Sequence, residues 1–96
     1  MALTSKDKQR LKARAHPLKP IVIIGNQGLS ETVNQEIDRA LTDHELIKLR
    51  ANTEDRDQRK AYYAEIVATH HADLVQQVGK IAVFYRVSDK HKKKDA

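Results

Sequence analysis

The chain has no cysteine and no tryptophan, and its 96 residues include only three glycines, two prolines, three tyrosines and one phenylalanine. Without cysteine there is neither a disulfide framework nor a thiolate metal site, which fits a reducing compartment. With Tyr62, Tyr63, Phe84 and Tyr85 as the whole aromatic complement, the core has to be built from Leu, Ile, Val and Ala. Long hydrophobic runs are also missing. The longest aliphatic run, Ile21-Val22-Ile23-Ile24, is far short of the roughly 20 apolar residues that a membrane-spanning helix needs. Met1-Ala2-Leu3 gives way at once to polar and basic residues, so the amino terminus carries no secretory h-region. These absences predict a soluble, cytoplasmic protein with one folded domain over 1–89 and a basic, disordered tail over 90–96.

Charge is present and unevenly spread. Residues 1–20 hold six Lys/Arg and one acid (+5), residues 21–89 hold eight and eleven (−3), and residues 90–96 hold four and one (+3), which gives the net +5 of the chain. A mildly acidic body with two basic ends points to a polyanionic partner, of which nucleic acid is the commonest.

Thr4 or Ser5 can cap a first helix reaching about His16, with Asp7 in its first turn and Leu11, Ala15 and Leu18 as an apolar stripe. Pro17 and Pro20 end it and lead into extended structure. Ile21–Ile24 reads as a strand apolar on both faces, hence an interior strand, with the first helix as the cover for its second face. Ser30 can cap a second helix to about Asp43 whose stripe is Leu29, Val33, Ile37, Ala40 and Leu41. In the strand predicted over 45–51, alternation sends Ile47, Leu49 and Ala51 one way and Leu46, Lys48 and Arg50 the other. Asn52 or Thr53 starts a third helix to about His70, and a hairpin over 74–87 turns at Gly79-Lys80. The order α-β-α-β-α-β-β predicts an α+β two-layer fold with a four-stranded mixed sheet, holding at least one parallel and one antiparallel pair.

Gly25-Asn26-Gln27-Gly28 lies between a strand and a capped helix. Glycines let a backbone approach a ligand closely, and a helix start offers unpaired N–H groups and positive dipole to a phosphate. Loops of this kind clamp nucleotide backbone in the KH class of RNA-binding modules. The same glycines would also serve a plain tight turn, so the spacing leaves both readings open. There is no Gly-Lys-Ser/Thr and no third glycine, so neither mononucleotide nor dinucleotide fingerprint is present.

Other constellations are better explained structurally. Glu54, Asp55 and Asp57 complement the dipole of a helix start. His70 and His71 point about 100° apart on a helix, unlike an i, i+4 ligand pair. Ser30 is a cap without a neighbouring base in sequence. One of Tyr62 and Tyr63 belongs to the core; the other is partly exposed and could stack on a base. Nucleophile, base and metal ligands are absent as a set, which predicts a protein that is not an enzyme and needs no cofactor, metal or small-molecule substrate.

Several stretches in order carry a resemblance. They are Leu11-Lys12, Ala15-His16-Pro17-Leu18-Lys19-Pro20, Gly25-Asn26-Gln27-Gly28-Leu29 and His44-Glu45-Leu46-Ile47-Lys48, then Glu54-Asp55-Arg56, Val78-Gly79-Lys80 and Phe84-Tyr85-Arg86. From about Leu3 to Arg86 the chain resembles the YhbY family, the stand-alone bacterial form of the CRM domain. The resemblance implies a fold similar to the C-terminal half of translation initiation factor three with an added amino-terminal helix. It implies binding to RNA of precursor large ribosomal subunits and a role in ribosome assembly. It also implies an RNA surface at the Gly-x-x-Gly loop and nearby basic residues.

Several CRM-type loops carry Lys or Arg between the glycines, whereas this one has Asn26 and Gln27. Attraction then has to come from around the loop. The expected RNA-binding set is Gly25, Asn26, Gln27 and Gly28 with Lys12, Arg14, Lys19, Lys48, Arg50, Arg56 and Arg86, in a monomeric protein without membrane contact. The alternative partner class is a ribosomal protein, with this chain as an adaptor.

Overall fold

The computed structural model describes residues 3–88, so the tail expected over 90–96 lies outside the described residues. The elements are α1 (Ser5–Ala15), β1 (Val22–Ile24), α2 (Glu31–His44), β2 (Leu46–Ala51), α3 (Arg56–His70), β3 (Asp73–Val78) and β4 (Ile81–Tyr85). Their order is α-β-α-β-α-β-β, and the four strands form one mixed sheet in the order β1-β2-β4-β3. β1 runs parallel to β2, with Ile23 beside Arg50. β4 is antiparallel to both β2 and β3, with Lys48 beside Val83 and a register irregularity in β3 between Leu74 and Gln76.

Each helix start has its own chemistry. Thr4 and Asp7 form a reciprocal capping box at α1: the Asp7 N–H donates to Thr4 Oγ1 at 3.1 Å and the Thr4 N–H to Asp7 Oδ2 at 3.2 Å. These bonds hold the Asp7 carboxyl below its usual pKa. Ser30 caps α2 by accepting from the Val33 N–H. At α3 the cap is Asp55, which accepts from Asp57 and Gln58, rather than Asn52 or Thr53. The reason is that the preceding residues are already committed. The Asn52 N–H donates to Ile24 O at 2.9 Å and the Ala51 N–H to Lys80 O at 2.8 Å, keeping the chain extended. Thr53 Oγ1 then accepts from the Asp55 N–H in the turn.

The sheet buries both faces, unequally. Under α2 and α3 lies the main core, including Val22, Ile24, Ile37, Leu41, Ile47, Leu49, Ile66 and Phe84. Tyr63 packs edge-on to Phe84 at 5.9 Å between ring centroids, and its hydroxyl donates to Lys80 O at 3.0 Å. On the opposite face α1 covers a smaller cluster of Leu11, Ala15, Leu46, Val75 and Val83.

Expectations for β1, for its cover and for two strand ends are corrected here. β1 is an edge strand, not an interior one, and α1 does not cover its second face. Val22 and Ile24 are buried, while Ile21 and Ile23 are 53% and 52% exposed. The cover stops short because α1 buries its stripe over β2, β3 and β4 instead. The strand predicted from Glu45 begins at Leu46, and Glu45 itself takes φ +64° at the end of α2. It is held there by the Arg86 N–H on its carbonyl and the Ser88 N–H on its carboxylate. β4 accordingly ends at Tyr85 instead of running on to Val87.

Candidate nucleic-acid interface

Because β1 and β2 are parallel, both deliver their carboxyl ends to the same side of the sheet. The Gly25–Gly28 loop, the 52–55 turn and the Gly79-Lys80 hairpin tip therefore gather there with the starts of α2 and α3. The Asn52-to-Ile24 and Ala51-to-Lys80 bonds tie the three loops to one another.

Within the Gly25–Gly28 loop the Gly28 N–H donates to Gly25 O at 3.1 Å, closing a four-residue turn. Asn26 and Gln27 keep negative φ, which makes it a turn of the type I class, and Gly28 follows at φ +67°. The two glycines therefore differ in role. Gly28 is required by its left-handed backbone and by space: an ideal Cβ there would lie 2.9 Å from the Tyr62 hydroxyl oxygen. Gly25 needs no special φ, and a Cβ there would meet nothing within 4 Å. The Asn26 and Gln27 N–H groups have no partner among the described residues, and both residues are exposed.

Lys48 and Arg50 share the α1 side of β2, opposite Leu49. Lys48 Nζ donates to His16 O at 3.4 Å, so the ammonium meets the carbonyl end of α1, where a cation is favoured. Arg50 Nε donates to Asn52 Oδ1 at 2.6 Å, aligning the guanidinium beside the base of the glycine loop. Arg14, Lys19 and Lys48 line one groove of about 330 Å³ with Leu18, Ile21 and Leu46. Lys12 is exposed on α1, and Arg56 is exposed at the first position of α3, at the loop end of the sheet. These basic residues thus occupy two adjoining regions, the α1 face and the loop end.

Arg86 does not join them. Its side chain is 19% exposed and faces α2 and α3, on the side of Phe84. Its guanidinium donates to Asp38 O, Asp38 Oδ1, Thr42 Oγ1 and His70 O, all at 3.1 Å. It is a clamp between helices, and its charge is balanced by Asp38. Lys80 is also engaged: its ammonium lies 2.7 Å from Glu54 Oε2, which holds the Glu54 carboxyl below its usual range.

Lys6, Lys8 and Arg10, outside the expected RNA-binding set, extend the exposed basic surface of α1. Two features escaped sequence reasoning. Tyr62 packs under Gly28, which the i+1 spacing of two tyrosines does not reveal. Ile21, Ile23 and Val78 form exposed aliphatic ground on the sheet, Val78 at 62%. Among the described residues no group of three or more His, Asp or Glu is placed to hold a metal ion, and no helix is long and apolar enough to cross a membrane. His70 is buried, with Nε2 at 2.9 Å from Asn34 Oδ1, and burial lowers its pKa from 6.5.

Comparison with known proteins agrees with this architecture. Residues 3–86 match the model of the CRS1 / YhbY (CRM) domain. A "Probable RNA-binding protein" of Pseudomonas aeruginosa is 45% identical over 93 residues, covering 97% of this chain and 89% of that protein. An "RNA-binding protein" of Haemophilus influenzae is 43% identical over 90 residues, covering 94% and 91%. The solution structure of a Staphylococcus aureus protein, described as a candidate RNA-binding protein, superposes with a TM-score of 0.81 at 34% identity and covers 96% of each chain.

Proposed function

This chain belongs to the CRS1 / YhbY (CRM) domain family, and from that membership we propose that it binds RNA of precursor large ribosomal subunits and assists their assembly in the cytoplasm, without catalysis. The observation that carries the reading is a run of basic residues along one face of the sheet: Arg14, Lys19 and Lys48 line one groove beside the start of β2, and Arg50, farther along the same strand face, is bonded to Asn52 at the base of the glycine loop. Its relatives from Pseudomonas aeruginosa and Haemophilus influenzae bear RNA-binding names, which supports RNA as the partner class.

The mechanism divides positioning from attraction. The turn offers the Asn26 and Gln27 N–H groups to phosphate or ribose oxygens, and Gly25 leaves room for the strand to come close. Lys12, Arg14, Lys19, Lys48, Arg50 and Arg56 supply Coulombic attraction, because the loop itself is neutral. Arg86 falls outside this proposed surface. Recognition then follows RNA shape and backbone more than base edges, as the folded RNA helix presents a groove too narrow for side chains to read.

Crosslinking in cells followed by sequencing of the attached RNA tests the reading. Enrichment of large-subunit precursor RNA is the expected result; crosslinks spread over RNA in proportion to abundance would contradict it. The exposed Ile21, Ile23 and Val78 favour a second reading, in which the chain docks on a ribosomal protein. Association that survives complete nuclease digestion would select that alternative.

A further inference from the structure

Tyr62 and Tyr63 are neighbours on α3 with opposite fates. Tyr63 is fully buried, and its hydroxyl is satisfied by Lys80 O. Tyr62 is half-buried: its ring packs on the edge of the main core, and its hydroxyl lies directly beneath Gly28. That hydroxyl has no hydrogen-bond partner among the described residues. It is also not a sealed-off group, since Arg59 Nε alone among the described side-chain atoms is both buried and unpartnered. A phenol whose ring is fixed by packing, and whose oxygen is open to solvent beneath Gly28 of the turn, is a pre-oriented donor.

We propose that the Tyr62 hydroxyl contacts RNA directly, donating its hydrogen to a phosphate or ribose oxygen seated on the Gly25–Gly28 turn. The proposal rests on the RNA-binding reading of that loop and adds a residue from a different element to it. A neutral loop with only backbone and amide donors gains from a further donor, and phenol to phosphate is a charge-assisted hydrogen bond. The contact also gives Gly28 a second reason to be glycine. A side chain there would occupy the space directly above the hydroxyl, in addition to straining the backbone. Arg59 stands one turn earlier on α3, with one guanidinium nitrogen donating to Thr53 O at 2.8 Å, so the same helix brings positive charge to this end of the sheet.

The test compares Tyr62→Phe and Gly25→Val with the wild type, using a structured fragment of large-subunit ribosomal RNA as probe. Tyr62→Phe keeps the packed ring and removes no hydrogen bond of the described residues, so its melting temperature stays at the wild-type value. Its affinity falls by about 10-fold. Because the missing group is uncharged, the plot of log affinity against log salt shifts in parallel with unchanged slope. Wild-type affinity in Tyr62→Phe, or a flattened slope, overturns the proposal. If Gly25→Val weakens binding while Tyr62→Phe does not, the loop remains an RNA contact and Tyr62 is only its support. If neither changes affinity, the loop reading fails and the Tyr62 contact fails with it.

Discussion

Single residues in this fold carry either shape or contact, and the two glycines of the turn separate the roles. Gly28→Ala forces a Cβ toward the Tyr62 hydroxyl at φ +67° and should cost roughly 1–3 kcal/mol of stability, read by denaturant titration. Gly25→Ala meets open space and should leave stability unchanged while weakening RNA binding, because only a bound strand would feel the methyl group. A bulky residue at position 28 would mix both effects, so position 25 is the cleaner probe. Arg86 belongs to the structural class: Arg86→Ala strands the Asp38, Thr42 and His70 acceptors and should cost about 1–3 kcal/mol, with RNA affinity of the folded protein unchanged. His70 gives a pH signature. Its pKa is lowered in the fold, chiefly by burial and then by Arg86, so below pH 6.5 the unfolded chain takes up a proton that the folded one resists. Stability is therefore full above pH 6.5 and declines as pH falls through the folded pKa. Thermal melts at pH 7.5 and pH 5 should show that loss, and a His70→Gln variant should show less of it.

At the scale of elements, α1 links stability to binding. It covers its own small cluster through Leu11 and Ala15 while exposing Lys6, Lys8, Arg10, Lys12 and Arg14. Leu11→Ala should cost about 2–4 kcal/mol by loss of buried volume, and circular dichroism melts would report it. Lys12→Ala with Arg14→Ala should leave the fold intact and flatten the salt dependence of RNA binding, by about 0.7–0.9 in slope for each phosphate no longer neutralised. Element order and most boundaries were legible in the sequence because local signals agreed: the Thr4–Asp7 pair, the Ser30 cap, and the period-two alternation of β2, where Lys48 and Arg50 mark the outer face. Strand order was not legible. An aliphatic run such as Ile21–Ile24 looks the same whether both faces are covered or one is left open, and only the seating of α1 over β2, β3 and β4 decides it. The α3 cap was misplaced because Asn52, Thr53 and Asp55 compete within four residues. Backbone bonds from Ala51 and Asn52 to distant strands settle that competition. Arg86 followed from the same limit, since its face depends on register with β2 and its partners lie on helices far away in sequence.

For the whole molecule, the charge division along the chain becomes a division in space. Within residues 21–89 the ion pairs of Asp38 with Arg86 and Glu54 with Lys80 occupy two of the segment's own cations and leave its acidic surplus unchanged. The basic residues of α1 and the following linker remain exposed beside Lys48 and Arg50. The glycine loop orients and the surrounding cations attract, which makes binding strong at low salt and modest in base preference. The most direct measurement is the affinity for a structured large-subunit ribosomal RNA fragment across a salt series, for the wild type and for a Lys12→Ala, Arg14→Ala, Lys48→Ala variant. The expected wild-type slope is roughly −3 to −5 in log affinity against log salt, from some four to six phosphate contacts, with a variant slope shallower by about 2. A slope near zero for the wild type, or an unchanged slope in the variant, would contradict it.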